Sequence, residues 1–151
     1  HMKKLLTISL FVLSAAMSWA QLNPVTWSFS ANKTGDKMYE LKMVATIQDK
    51  WHLYSQQQPD DAVIIPTTFK FNANPLLNLE GKIREVGTME KFTDKSLGIS
   101  ANQYSHTVTF VQKVKLKANA KTKLTGTVEY QTCDDKKCLP PKTVSLSIEV
   151  K

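Results

Sequence analysis

Tyr39-Glu40-Leu41-Lys42-Met43-Val44-Ala45-Thr46-Ile47 carries the clearest architectural signal in the chain. Tyr39, Leu41, Met43, Ala45 and Ile47 share one parity, while Glu40, Lys42 and Thr46 hold the other. A strand sends successive side chains to opposite faces, so this segment reads as a strand with one apolar and one wet face. The same period recurs on either side. Val25, Trp27 and Phe29 alternate with Thr26, Ser28 and Ser30. Val108, Phe110, Val114 and Leu116 share a parity, as do Leu124, Val128 and Tyr130, and then Val144, Leu146, Ile148 and Val150. Weaker strands are expected at Pro66–Phe71 and Lys82–Val86. Turn chemistry separates them: Asn32-Lys33-Thr34-Gly35-Asp36, Gln58-Pro59-Asp60-Asp61, Asn72-Ala73-Asn74-Pro75 and the run from Lys117 to Thr122. The pattern predicts about seven or eight strands and no helix, hence an all-β, immunoglobulin-like antiparallel β-sandwich. Both cysteines lie near the C-terminal end, so the inter-sheet disulfide of antibody domains is absent.

The N-terminus speaks to compartment. His1 reads as a tag remnant before Met2; Lys3 and Lys4 form a basic region, and Leu5 to Ala16 an apolar run. Ser18-Trp19-Ala20 supplies the small residue that signal peptidase needs, which predicts a secretory signal over residues 1–20 with cleavage after Ala20. About a dozen apolar residues are too few to cross roughly 30 Å of hydrocarbon as a helix. No second apolar run follows, so the domain of residues 21–151 is expected to be exported, periplasmic or beyond, and soluble. Without Lys3 and Lys4 it holds 18 basic and 13 acidic residues, a formal charge of +5. Lys113, Lys115 and Lys117 alternate as one wet strand face does, and export makes nucleic acid an unsuitable partner.

The chemistry concentrates in Tyr130-Gln131-Thr132-Cys133-Asp134-Asp135-Lys136-Lys137-Cys138-Leu139-Pro140-Pro141, which contains the only two cysteines. Such a pair is either a structural staple or a redox couple. Closing so short a loop stabilises by roughly 2 kcal/mol in the chain-entropy model, little help for a domain with several apolar strand faces. Register bears on the choice. Cys133 opposite Cys138 makes opposed residue numbers sum to an odd value. Val128 and Tyr130 share a face with Val144, Leu146 and Ile148 only if that sum is even. One residue must be absorbed, and Pro140-Pro141, with no N–H to offer, is where a bulge is expected. Lys136 and Lys137 would favour a thiolate, whereas Asp134 and Asp135 would oppose it. Zinc has weak support, since two cysteines with the distant His52 and His106 do not form a compact four-ligand set. Copper has little, because Met38, Met43 and Met89 are not clustered. No metal or other cofactor is called for.

Tyr130-Gln131-x-Cys133, a short loop, then Cys138-x-Pro140-Pro141 and a final strand resembles the N-terminal periplasmic domain of the thiol:disulfide interchange protein DsbD. Trp51-His52-Leu53-Tyr54-Ser55 resembles the aromatic strand segment of that family, and Met89-Glu90-Lys91-Phe92 its cap loop. The resemblance implies an immunoglobulin-like domain that receives electrons from a thioredoxin-like domain fed by a membrane-embedded partner. It would pass them to exported thiol proteins such as disulfide isomerases and cytochrome c maturation thioredoxins. By motif position Cys138 matches the cysteine that joins partners in a mixed disulfide, and Cys133 the resolving one. The best-known enterobacterial form has one more residue between its cysteines and a phenol where His52 stands; without the membrane and thioredoxin-like parts, these residues are expected to be either an excised domain or a short stand-alone relative that borrows its electron donor.

Around the pair, Phe92 is a candidate lid that shields a dithiol from adventitious oxidation, and Glu90 a candidate for moving protons. Tyr54, Tyr130, His52 and Pro140 are candidate supporting residues, although strand aromatics are as a rule core, and a half-buried, hydrogen-bonded histidine is commoner than a base. Two readings stay open: a thiol–disulfide exchange domain, and a non-catalytic binding or structural β-sandwich whose disulfide only pins a hairpin.

Overall fold

The structure, a computed structural model, describes residues 22–151; the expected secretory signal over residues 1–20 and its expected cleavage after Ala20 lie outside the described residues. In chain order the strands are β1 (Val25–Gly35), β2 (Met38–Ile47), β3 (His52–Tyr54), β4 (Thr68–Phe71), β5 (Leu77–Val86), β6 (Glu90–Asp94), β7 (Ile99–Tyr104), β8 (Thr107–Leu116), β9 (Thr122–Tyr130), β10 (Thr132–Cys133) and β11 (Lys142–Val150). All pairings are antiparallel, in three sheets ordered β1-β2-β8-β5, β11-β9-β4 and β10-β3-β7-β6. The all-β, immunoglobulin-like reading stands.

The alternating strands build the sandwich. β2 and β8 pair through Met43↔Phe110 and Ala45↔Val108, which lines up their apolar parities. β9 and β11 do the same through Val128↔Val144 and Leu124↔Ile148. Leu41, Met43, Val108, Phe110, Val114, Leu124, Val128 and Ile148 are fully buried in one core. Each such side chain contributes about 1.5–3 kcal/mol by leaving water. Trp27 on β1 closes one side, with its ring edge-on to Phe69 and Tyr130 at centroid distances of 5.9 and 5.5 Å. Gly126 lets β4 lie against β9, since a Cβ there would run into the Lys70 carbonyl oxygen.

Three expectations need correcting. Asn32 to Gly35, expected as turn, continues the β1–β2 ladder through Asn32↔Glu40 and Lys33↔Tyr39. The turn proper is Asp36-Lys37, with Lys37 at φ 57°. The weak strand at Lys82–Val86 begins at Leu77 and contains a bulge between Glu80 and Arg84, whose Glu80 and Gly81 carbonyls accept from buried Gln112 Nε2. Three further strands, β6, β7 and β10, were not among the expected strands, whereas β3 lies in the Trp51–Ser55 segment expected as one; Met89–Phe92, expected in a loop, runs into β6. They are short and polar, and pairing rather than hydropathy defines them.

Candidate functional site

The cysteines sit where the chain changes sheets. β9 ends at Tyr130, and after one residue β10 pairs with β3 through Thr132↔Leu53 and Cys133↔His52. Gln131 braces the crossing: its Oε1 accepts from Ile65 N at 2.9 Å and its Nε2 donates to Leu139 O at 3.2 Å. Cys138 then bridges back to Cys133, and the two form a disulfide. Leu139 N donates to Thr132 O, so the odd register holds at the tip. Lys142↔Tyr130 restores the even register of β9–β11. The extra residue lies in Pro140-Pro141, opposite the single Gln131, and neither proline has an N–H to leave unpaired. The bulge falls where the register argument put it, but the tip belongs to another sheet rather than to a continuous hairpin.

The loop between the cysteines is a tight turn held by Asp134. Its Oδ1 accepts from Lys136 N at 2.8 Å and Lys137 N at 2.7 Å, and these bonds hold its carboxyl below the usual range. Asp134 is thereby committed to the turn. Cys133 is buried against Tyr54, Ala101 and Ile64, whereas Cys138 is exposed.

Register brings the other side chains to the pair. Opposed residues in a ladder point the same way, and residues two apart share a face. Cys133 lies opposite His52, Tyr54 opposite Gln103, Gln103 opposite Glu90, and Phe92 opposite Ala101. One face of this small sheet therefore carries Cys133, His52, Tyr54, Gln103, Ala101, Glu90 and Phe92. The other parity sends Leu53 and Tyr104 into the main core. On the site face His52, Tyr54, Phe92, Gln103, Asp134 and Asp135 line a cavity of about 290 Å³. His52 Nδ1 lies 2.9 Å from Ser105 Oγ, which donates to Glu90 Oε2 at 3.2 Å. His52 Nε2 lies 3.8 Å from the Asp135 carboxylate. Burial pushes the Tyr54 hydroxyl up to about 12, so it stays protonated as a neutral wall.

An exposed cysteine is thus bonded to a buried one, beside a cavity lined by His52, Tyr54, Asp134 and Asp135. Residues 20–149 match the family described as thiol:disulfide interchange protein DsbD, N-terminal. The chain belongs to this family. Among solved structures it is similar to the DsbD N-terminal domain of Neisseria meningitidis in the reduced form, with 18% identity and a TM-score of 0.55, over 86% of this chain and 90% of that one. It is also similar to the N-terminal periplasmic domain of ScsB from Proteus mirabilis, with 15% identity and a TM-score of 0.54, over 82% of this chain and 44% of that one. At these identities the structural likeness speaks for the fold. No curated protein matches the chain.

Within this DsbD-type domain, a half-buried carboxylate ties the site sheet to the sandwich. Glu85, near the end of β5, accepts from Ser55 Oγ at 2.7 Å, Gln56 N at 2.9 Å, Gln56 Nε2 at 3.0 Å and Tyr104 Oη at 2.6 Å. Burial pushes its carboxyl up, and the hydrogen bonds outweigh that, leaving it below the ordinary value. Tyr104 is pushed up by burial and by Glu85.

Of the residues singled out in the sequence, Cys133, Cys138, His52, Tyr54, Glu90 and Phe92 come together. Tyr130 does not join them; it is buried in the main core against Trp27. Pro140 occupies the bulge. Phe92 lines the cavity but is 46% exposed, and it leaves Cys138 open to solvent. Ser105, Gln103, Glu85 and Tyr104 went unnoticed as site residues, because nothing in their local sequence marks them; register alone brings them in.

Proposed function

We propose that the chain is an exported thiol–disulfide interchange domain that relays reducing equivalents through Cys133 and Cys138. Its donor is a thioredoxin-like domain fed by a membrane-embedded reductase. Its acceptors are periplasmic thiol proteins such as disulfide isomerases or cytochrome c maturation thioredoxins. The exposure of Cys138 beside buried Cys133 carries this reading. In the reduced domain the Cys138 thiolate attacks a partner disulfide, forms a mixed disulfide and expels one partner thiolate. Cys133 then attacks Cys138 Sγ, re-forming the internal bond and releasing the partner's second sulfur as thiolate. Two electrons pass to the partner, and no cofactor takes part. In this reading Phe92 and Glu90 shield the pair, and Tyr54 and His52 support it.

The reduction potential tests the proposal. A value within reach of thioredoxin-like donors, near about −270 mV, is expected, with a mixed disulfide trapped on Cys138 in Cys133→Ala. A potential far below about −300 mV with no trapped partner would leave an inert staple in a binding or structural module.

A further inference from the structure

Resting on that exchange reading, we infer that His52 is the proton acceptor for the resolving thiol Cys133, held in its working tautomer by a Glu90–Ser105 relay. The direction of the hydrogen bonds assigns the tautomer. A carboxylate only accepts, so the Ser105 hydroxyl spends its proton on Glu90 Oε2 at 3.2 Å. The Ser105 oxygen then accepts, and the group beside it at 2.9 Å is His52 Nδ1–H. With Nδ1 carrying the proton, neutral His52 presents a lone pair at Nε2, the nitrogen directed at the cysteine loop near Asp135.

His52 is also the residue directly across the ladder from Cys133. Directly opposed side chains have Cβ atoms about 4.5–5.5 Å apart, and Cys133 is buried, so bulk water is a poor base for it. The charged and titratable groups facing His52 come from three sides: Asp134 and Asp135 from the cysteine loop, Glu90 from β6 through Ser105, and Tyr54 from its own strand. Asp134 is committed to its turn, Tyr54 keeps its proton, and Glu90 is turned toward Ser105 and Gln103. Asp135 is left beside Nε2, at the solvent-facing end of the ring.

The step balances. Cys133 S–H gives its proton to His52 Nε2; the thiolate attacks Cys138 Sγ; the Cys133–Cys138 bond forms as the Cys138–partner bond breaks. The electron pair leaves with the partner sulfur, and the imidazolium returns its proton to solvent at the exposed Asp135 side.

The experiment uses the reduced domain and glutathione disulfide, with rapid acid quench and mass spectrometry to follow two events separately. These are formation of the Cys138–glutathione mixed disulfide and its resolution by Cys133. His52→Gln should slow resolution about 100-fold, the scale of one general base, and remove the imidazole step from its pH profile while mixed-disulfide formation stays within about 3-fold. Ser105→Ala, which leaves the imidazole in place, should slow resolution by an intermediate factor and displace the step in pH. Unchanged resolution rates and profiles in both variants would overturn the role of His52 and leave the exchange reading standing. A wild-type mixed disulfide that never resolves would sink both.

Discussion

The sandwich and the small β10-β3-β7-β6 sheet solve different problems with the same backbone. The sandwich strands are nine to eleven residues long, apart from four-residue β4, and bury a dry apolar face against one another. The small sheet's strands are two to six residues long. It buries one parity, Leu53 and Tyr104, and turns the other toward a cavity lined by His52, Tyr54, Gln103 and the Asp134-Asp135 stretch between the cysteines. A long apolar face supports itself through area. A short polar sheet must be held by directed bonds, which is the part Glu85 plays. Stability and reactivity are thereby assigned to different regions.

If that division is right, perturbations should separate in size and place. The largest effect belongs to the sandwich. Phe110 is fully buried among Trp27 and Phe69, so Phe110→Ala should cost about 3–5 kcal/mol, read from denaturant unfolding, and should lower protection in every sheet alike.

Glu85→Ala should cost less, about 1.5–3 kcal/mol, the scale of hydrogen bonds to a charged group and of the donors left unpaired. Hydrogen exchange should quicken in β3, β6 and β7 while β2 and β8 stay protected. Equal loss across all sheets would erase the proposed boundary. The same carboxylate sets a pH dependence. Its folded value lies below the ordinary 4.5, so on acidification the unfolded chain takes the proton first. The contribution of this group is whole above that ordinary value and drains away as pH falls through the folded one. Glu85→Gln should flatten that part of the acid-unfolding curve.

Phe92→Ala should have the smallest effect on stability, within about 0.5 kcal/mol for an exposed side chain, yet it should speed oxidation of the reduced thiols by small disulfides. An unchanged oxidation rate would end the lid reading.

The reach of the sequence differed between the two regions for the same reason. Where one face is apolar, as in Tyr39 to Ile47 or Val144 to Val150, parity is written in hydropathy and the strand is legible without its partner. In Ile99-Ser100-Ala101-Asn102-Gln103-Tyr104 most side chains are small or polar, so no parity shows until pairing with β3 and β6 supplies one. The cysteine pair was legible through spacing, and its bulge through the arithmetic of opposed residues. The Glu90–Ser105–His52 chain was not, since its members are separated by many residues and meet only across a ladder.

From the order of residues alone came the β-sandwich, the close pair Cys133 and Cys138, and the residue that Pro140-Pro141 had to absorb. All three rest on local chemistry: alternation, spacing and a missing N–H. The assembled fold set which cysteine is buried, moved Tyr130 to the core, and gathered His52, Ser105, Glu90 and Glu85 from four separate segments. Those outcomes depend on strand register and on the chain's passage from one sheet to another, and both arise from contacts between distant segments.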